Sequence, residues 1–187
     1  MGWWFLRHGG RHNVWTDGDR QEPIPRHTEI NEKLARSILR KAKKGGGTMR
    51  FSGKIYKDGS FWLAEIPILD AMTQGHTRKE ALEMAADMVE TMANKEGFRV
   101  EVFLGSGGEF EVGSTDPKPL IILLLKRKRE LSGLSLSQAA ERLGASSRNA
   151  YARYEQGRSD PTVEKLNELL HAVCPDTDFV IKESAVA

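Results

Sequence analysis

Five histidines and a scatter of arginines are the groups able to do chemistry in this 187-residue chain. His12 stands out among them. It follows Gly9-Gly10-Arg11, a turn whose glycines would let a ligand backbone come close. Imidazole titrates near pH ~6.5, which suits a general base or a general acid. Arg7, Arg11, Arg26 and Lys33 lie near it in sequence and could hold phosphates or offset developing negative charge. His27, after Pro25-Arg26, reads as a structural or phosphate-contacting residue. By spacing alone, His12 reads as a plain surface-loop histidine. His8 and His12 have an HxxxH spacing, but in a turn and without a third carboxylate ligand, so no metal or other cofactor is expected. Gly105-Ser106-Gly107-Gly108 precedes a strand-like run rather than a helix, which argues against a phosphate-cradling loop. A single cysteine, Cys174, excludes an internal disulfide framework and a Cys-based zinc cluster.

Charge divides the chain into modules that must position these groups. Residues 1–48 carry a net +5, residues 49–116 a net −5, residues 117–173 a net +4 and the tail a net −2. Basic modules favour nucleic acid, and an acidic module beside a basic one could cover it. The mean hydropathy of −0.48 and a longest apolar run of six residues, Leu120 to Leu125, leave no candidate membrane span, which needs ~18–20. Met1-Gly2-Trp3-Trp4-Phe5 has no secretion-signal pattern, so a cytoplasmic protein without a membrane partner is expected.

The expected fold class is α+β in three parts. Short apolar runs at Trp3–Leu6 and His12–Trp15, an extended Glu22–Pro25, and helical spacing over 29–43 predict a β-β-β-α piece. Residues 1–44 form this module, with a Gly linker at 45–48. Residues 49–114 form the second. Asp58-Gly59 between strand-like runs predicts a hairpin, and Thr77-Arg78-Lys79-Glu80 is a capping box opening a helix with Ala81, Leu82, Ala85 and Val89 on one face. Runs near Phe98–Leu104 and Glu109–Val112 complete a β-β-α-β-β order. Residues 115–174 are all helix: one from about Pro119 to Ser132, a second from Ser135 to Leu143, a third from Ser147 to Gln156 and a fourth from Thr162 to Val173. A tail spans 175–187.

Leu134 to Leu170 resembles the lambda-repressor-like (XRE) helix-turn-helix family. The matching residues are Ala140, Leu143-Gly144-Ala145-Ser146, Tyr154-Glu155-Gln156-Gly157, Pro161 and Leu166. The resemblance implies that the third helix of this part enters the DNA major groove, with Ser146, Ser147, Arg148, Asn149 and Arg153 facing operator DNA. Two positions depart from the family pattern. Leu136 stands where a Gln is usual, and Gly144 to Gly157 is one residue longer than the commonest spacing.

Gly9-Gly10-Arg11-His12, Ile24-Pro25-Arg26-His27 and Ile38-Leu39-Arg40-Lys41 resemble the HicA ribonuclease toxins. Tyr56-Lys57-Asp58-Gly59-Ser60-Phe61-Trp62, Ile66-Pro67, Gln74-Gly75 and Glu80-Ala81-Leu82 resemble the HicB antitoxins. This resemblance implies a fold like a double-stranded-RNA-binding domain for the first module and a partial RNase H-like fold for the second. It makes His12 the catalytic residue of a metal-independent mRNA-cleaving toxin, with Arg7, Arg11, Arg26, His27 and Lys33 on RNA. The HicB-like part would neutralise the toxin part within or between chains, and the helix-turn-helix would bind an operator for autoregulation, as a homodimer or higher assembly. HicA toxins carry a helix before the first Gly-Trp, and here Gly2-Trp3 follows Met1 directly. That departure implies a truncated toxin core, and it keeps open an alternative: a purely DNA-binding regulator whose first module is a non-catalytic relic.

Overall fold

The structure is a computed structural model that describes residues 3–8, 10, 12–18, 21–26, 35 and 48–184. It divides into two compact units, residues 1–47 and 48–187.

In the first unit, β1 (Trp4–His8), β2 (His12–Thr16) and β3 (Gln21–Pro25) form an antiparallel sheet in that order. The turn after β2 is closed by the Gly18 N–H donating to Thr16 Oγ1 at 3.0 Å. Val14 is buried, Phe5 meets Trp15 edge-on, and every residue of β1 is exposed. Of the helix expected over 29–43, Ala35 is helical; its other residues and Gly45 to Gly47 lie outside the described residues.

The second unit opens with β4 (Met49–Asp58) and β5 (Phe61–Ile66), joined by the expected tight turn with Gly59 at φ +57°. A 3-10 turn (Pro67–Leu69) follows, then β6 (Ala71–Gly75), α1 (Arg78–Ala93), β7 (Glu101–Leu104) and β8 (Glu109–Ser114). The five strands are antiparallel in the order β6-β5-β4-β8-β7. The order is therefore β-β-β-α-β-β, one strand more than the sequence pattern predicts. Ala71-Met72-Thr73-Gln74-Gly75 has no alternation of strong strand formers, and its pairing with β5 makes it a strand.

Of the capping box expected at Thr77, the half that caps the helix forms. The Thr77 hydroxyl accepts from the Glu80 N–H, while the Glu80 carboxylate accepts from the N–H of His76 rather than of Thr77. Gly75 lets the helix return tightly over the sheet, since a Cβ there would lie 2.5 Å from the Ala81 nitrogen. Ala81, Leu82, Ala85 and Val89 then pack on Phe51, Ile55, Ala64, Ile66, Phe110 and Val112.

Ser114 to Asp116 turns the chain into four helices, α2 (Pro117–Leu131), α3 (Leu136–Arg142), α4 (Asn149–Glu155) and α5 (Val163–Val173). Asp116 caps α2, and Pro117 sits at its first position, where no backbone N–H is needed. The helices do not have a core of their own. Leu120, Leu123, Leu124 and Leu125 of α2 join the cluster of the sheet and α1 to that of Ala139, Ala140, Tyr151, Tyr154, Leu169, Leu170 and Val173. Arg127 adds a polar tie, donating from Nε to the Leu69 carbonyl at 2.8 Å and from Nη2 to the Asp70 carbonyl at 3.0 Å.

Candidate nucleic-acid interface

The interface is built on α3, the turn after it, and α4. Ser135 starts α3 with a reciprocal capping box: its hydroxyl accepts from the Gln138 N–H and the Gln138 side chain accepts from the Ser135 N–H. Leu136, at the position of the usual Gln, is half-buried and packs against the core. The amide two residues on, Gln138, is thus engaged by the helix itself.

α3 stops at Gly144 for a geometric reason. Gly144 takes φ +71°, donating its N–H to the Glu141 carbonyl, and the Ala145 N–H returns to the Ala140 carbonyl. This is a Schellman closure, in which a left-handed residue satisfies the last carbonyls of the helix. The same pair of bonds ends α4 at Gly157. There the need for glycine is doubled, because φ is +67° and a Cβ would fall 2.7 Å from Ile122 Cδ1 of α2.

Between these closures lie the residues expected on DNA. Ser146, Ser147, Arg148 and Asn149 are all exposed and consecutive, running from the turn into the first position of α4. The Ser147 hydroxyl accepts from the Asn149 N–H at 3.3 Å. Arg153, one turn on from Asn149, is also exposed, but its guanidinium lies against Tyr154, 4.8 Å from the ring centroid, with Nη2 donating to the phenol oxygen at 2.9 Å. Four of the five side chains are thus grouped at the N-terminus of α4, and the fifth is folded onto its own helix.

The opposite face of α4 is locked. Tyr151 is fully buried and donates to the Leu125 carbonyl at 3.1 Å. Burial, with the nearby Glu155 charge, pushes its phenol well above the ordinary value. Glu155 receives both Nε and Nη2 of Arg129 at 2.7 Å, and Arg129 Nη1 donates to the Leu134 carbonyl at 2.8 Å. Donating these hydrogen bonds to Glu155 raises the affinity of Arg129 for its proton. One guanidinium therefore joins α2, the start of the α3 segment and the end of α4. Sequence reasoning missed this clamp. Glu155 belongs to the matched motif, but Arg129 is hidden in Lys126-Arg127-Lys128-Arg129, where its neighbours have other tasks.

The first unit gathers a second set. Strand directions put the end of β1, the start of β2 and the end of β3 at one end of the sheet, with Arg7, His12 and Arg26 there. His12 and Arg7 are exposed. Arg26 Nη2 donates to the Gly10 carbonyl at 2.8 Å, tying β3 to the Gly turn, and His8 Nδ1 bonds Asn13 Oδ1 at 3.0 Å. Arg11, His27 and Lys33 lie outside the described residues.

A family model described as helix-turn-helix, of the lambda-repressor-like (XRE) kind, matches residues 125–172, from the second half of α2 through α5. No curated protein matches the chain. Residues 125–172 are therefore a helix-turn-helix, a DNA-binding domain of the kind found in transcription regulators. Among the described residues, no helix is long and apolar enough to cross a membrane.

Proposed function

We propose that the chain is a transcription regulator that binds an operator by placing the N-terminus of α4 in the major groove. The observation that carries this is the contrast between the two faces of that helix. Ser146, Ser147, Arg148 and Asn149 are presented to solvent, while Tyr151 and the Arg129–Glu155 pair hold the helix from behind. Arg148 suits guanine and Asn149 suits adenine. Selecting a binding site from random duplexes, then titrating it with Arg148→Ala and Asn149→Ala, tests the reading. Each variant is expected to lose about 1–3 kcal/mol of discrimination at one base position while staying folded. Equal binding of every duplex by the wild type would sink it.

A second reading adds a toxin–antitoxin role, in which the first unit is a HicA-like ribonuclease core and the sheet of the second unit its HicB-like neutralising partner. What favours it is the exposed His12 at the same sheet end as Arg7 and Arg26, together with the sequence resemblance. The full chain with a protease site inserted at Gly46 tests it. RNA cleavage should appear on cutting and be absent with His12→Ala. Silence of the cut protein, with the first sheet still folded by circular dichroism, leaves the DNA-binding regulator alone.

A further inference from the structure

The two edges of the five-stranded sheet are finished differently. Edge strand β7 is four residues long and carries Glu101. The C-terminal tail lies close to it: Lys182, Glu183 and Ser184 line a recess with Phe103 and Leu104, and Lys182 and Ser184 both reach Glu111 on the adjoining β8. Short length, charge and a covering segment are the usual protections of an edge. Edge strand β6, five residues long, differs in its charge. Ala71-Met72-Thr73-Gln74-Gly75 holds no charge and no proline, and among the described residues no strand pairs with it on its outer side. Met72 is 50% exposed, Gln74 is exposed, and Tyr56, two strands away in the same register row as Gln74, is 41% exposed.

We propose that the β6 edge is where a second copy of this chain pairs, antiparallel and two-fold symmetric about Thr73, to give one continuous ten-stranded sheet. The segment is complementary to itself in this arrangement. Thr73 falls opposite Thr73 of the second copy, and Met72 opposite its Gln74. Ala71 falls opposite its Gly75. Thr–Thr and apolar–amide pairs are favourable across strands, and no like charges meet. Two-fold symmetry makes this an isologous contact that closes at two copies instead of growing into a fibre. The helix-turn-helix shares the core of this sheet, so pairing would carry two α4 helices, which is what a two-half-site operator requires.

The pairing does not depend on DNA binding, so its test is made without DNA. Sedimentation equilibrium of the full chain should give a dimer. Met72→Lys with Gln74→Lys puts Lys opposite Lys twice and should weaken the dimer by roughly 30-fold. Met72→Glu with Gln74→Glu should do the same. Mixing the two variants should restore a dimer, now mixed, because every facing pair is Lys against Glu. Leu104→Lys on the β7 edge should leave the dimer unchanged. Circular dichroism confirms that each variant is folded. The proposal is overturned by a monomeric wild type, by a dimer indifferent to the two Lys, by failure of the mixture to re-associate, or by loss of the dimer in Leu104→Lys. A dimer that behaves as expected but binds no operator would count against the regulator reading and not against this one.

Discussion

The α4 helix and the His12 end of the first sheet both present polar side chains to solvent, but they are supported in opposite ways. Behind Arg148 and Asn149 stand a buried tyrosine, a doubly bonded ion pair and two glycine closures that end α3 and α4. Behind His12 stands a three-stranded sheet with Val14 as its buried apolar residue among those described, and β1 is exposed along its whole length. Recognition of base edges needs side chains held to within fractions of an ångström, so a reading helix requires a rigid back. Among the described residues, the sheet end presents charge and an imidazole on strands whose buried apolar residue is Val14. The difference separates a site organised within its own unit from one that would be organised by what it binds.

The comparison can be broken first at Glu155. Replacing it with Ala takes from the Arg129 guanidinium, whose side chain is 14% exposed, its 2.7 Å carboxylate and leaves it Glu130 at 3.9 Å and the Leu134 carbonyl. Loss of about 3 kcal/mol of unfolding free energy is expected, with operator binding falling alongside. Arg129→Met with Glu155→Leu should recover much of the stability, since no unpaired charge remains. A loss below 1 kcal/mol for Glu155→Ala in urea unfolding would show that the clamp is ornamental.

Gly157→Ala comes next. The left-handed backbone and the close approach to Ile122 together should cost about 2 kcal/mol, read as a lower midpoint in the same titration. Tyr151→Phe removes one hydroxyl and leaves the Leu125 carbonyl without that donor; about 1 kcal/mol is expected by thermal unfolding. By contrast, His12→Ala should change stability by less than about 0.5 kcal/mol, because the side chain is exposed and no packing is lost. A large effect at His12 would erase the distinction between the two regions.

The smallest effect is a pH dependence at the start of α2. The Lys95 hydrogen bond holds the Asp116 carboxyl below its ordinary 3.8, helped by the Lys118 N–H and against a modest effect of burial. A carboxyl depressed in the folded state stabilises the protein above its unfolded value and loses that contribution as pH falls through the folded one. Wild type should therefore exceed Asp116→Asn in stability at neutral pH, with the gap narrowing as pH drops below 3.8. A gap that is constant with pH would mean that Asn caps through its side-chain oxygen equally well.

Much of this was legible in the chain itself. Gly144, the start of a helix at Ser135, and the motif ending in Gly157 are local features, and local backbone rules give them meaning without a neighbour. The Asp58-Gly59 hairpin and the Thr77 cap are legible for the same reason. Strand β6 was not, because its residues have little strand preference and only the pairing with β5 decides its conformation.

What the sequence by itself determined is where helices start and stop, which residues of the helix-turn-helix are small, turning or exposed, and how charge divides the chain. The tertiary structure alone decided which of four consecutive cations becomes the clamp. Arg127 turns to the Leu69 and Asp70 carbonyls and Arg129 to Glu155, while Lys128 lies 5.8 Å from the Phe179 ring centroid. Helical periodicity points neighbouring residues about 100° apart. A run of like residues therefore faces several partners at once, and only the placement of sheet, helix and tail around α2 assigns each one.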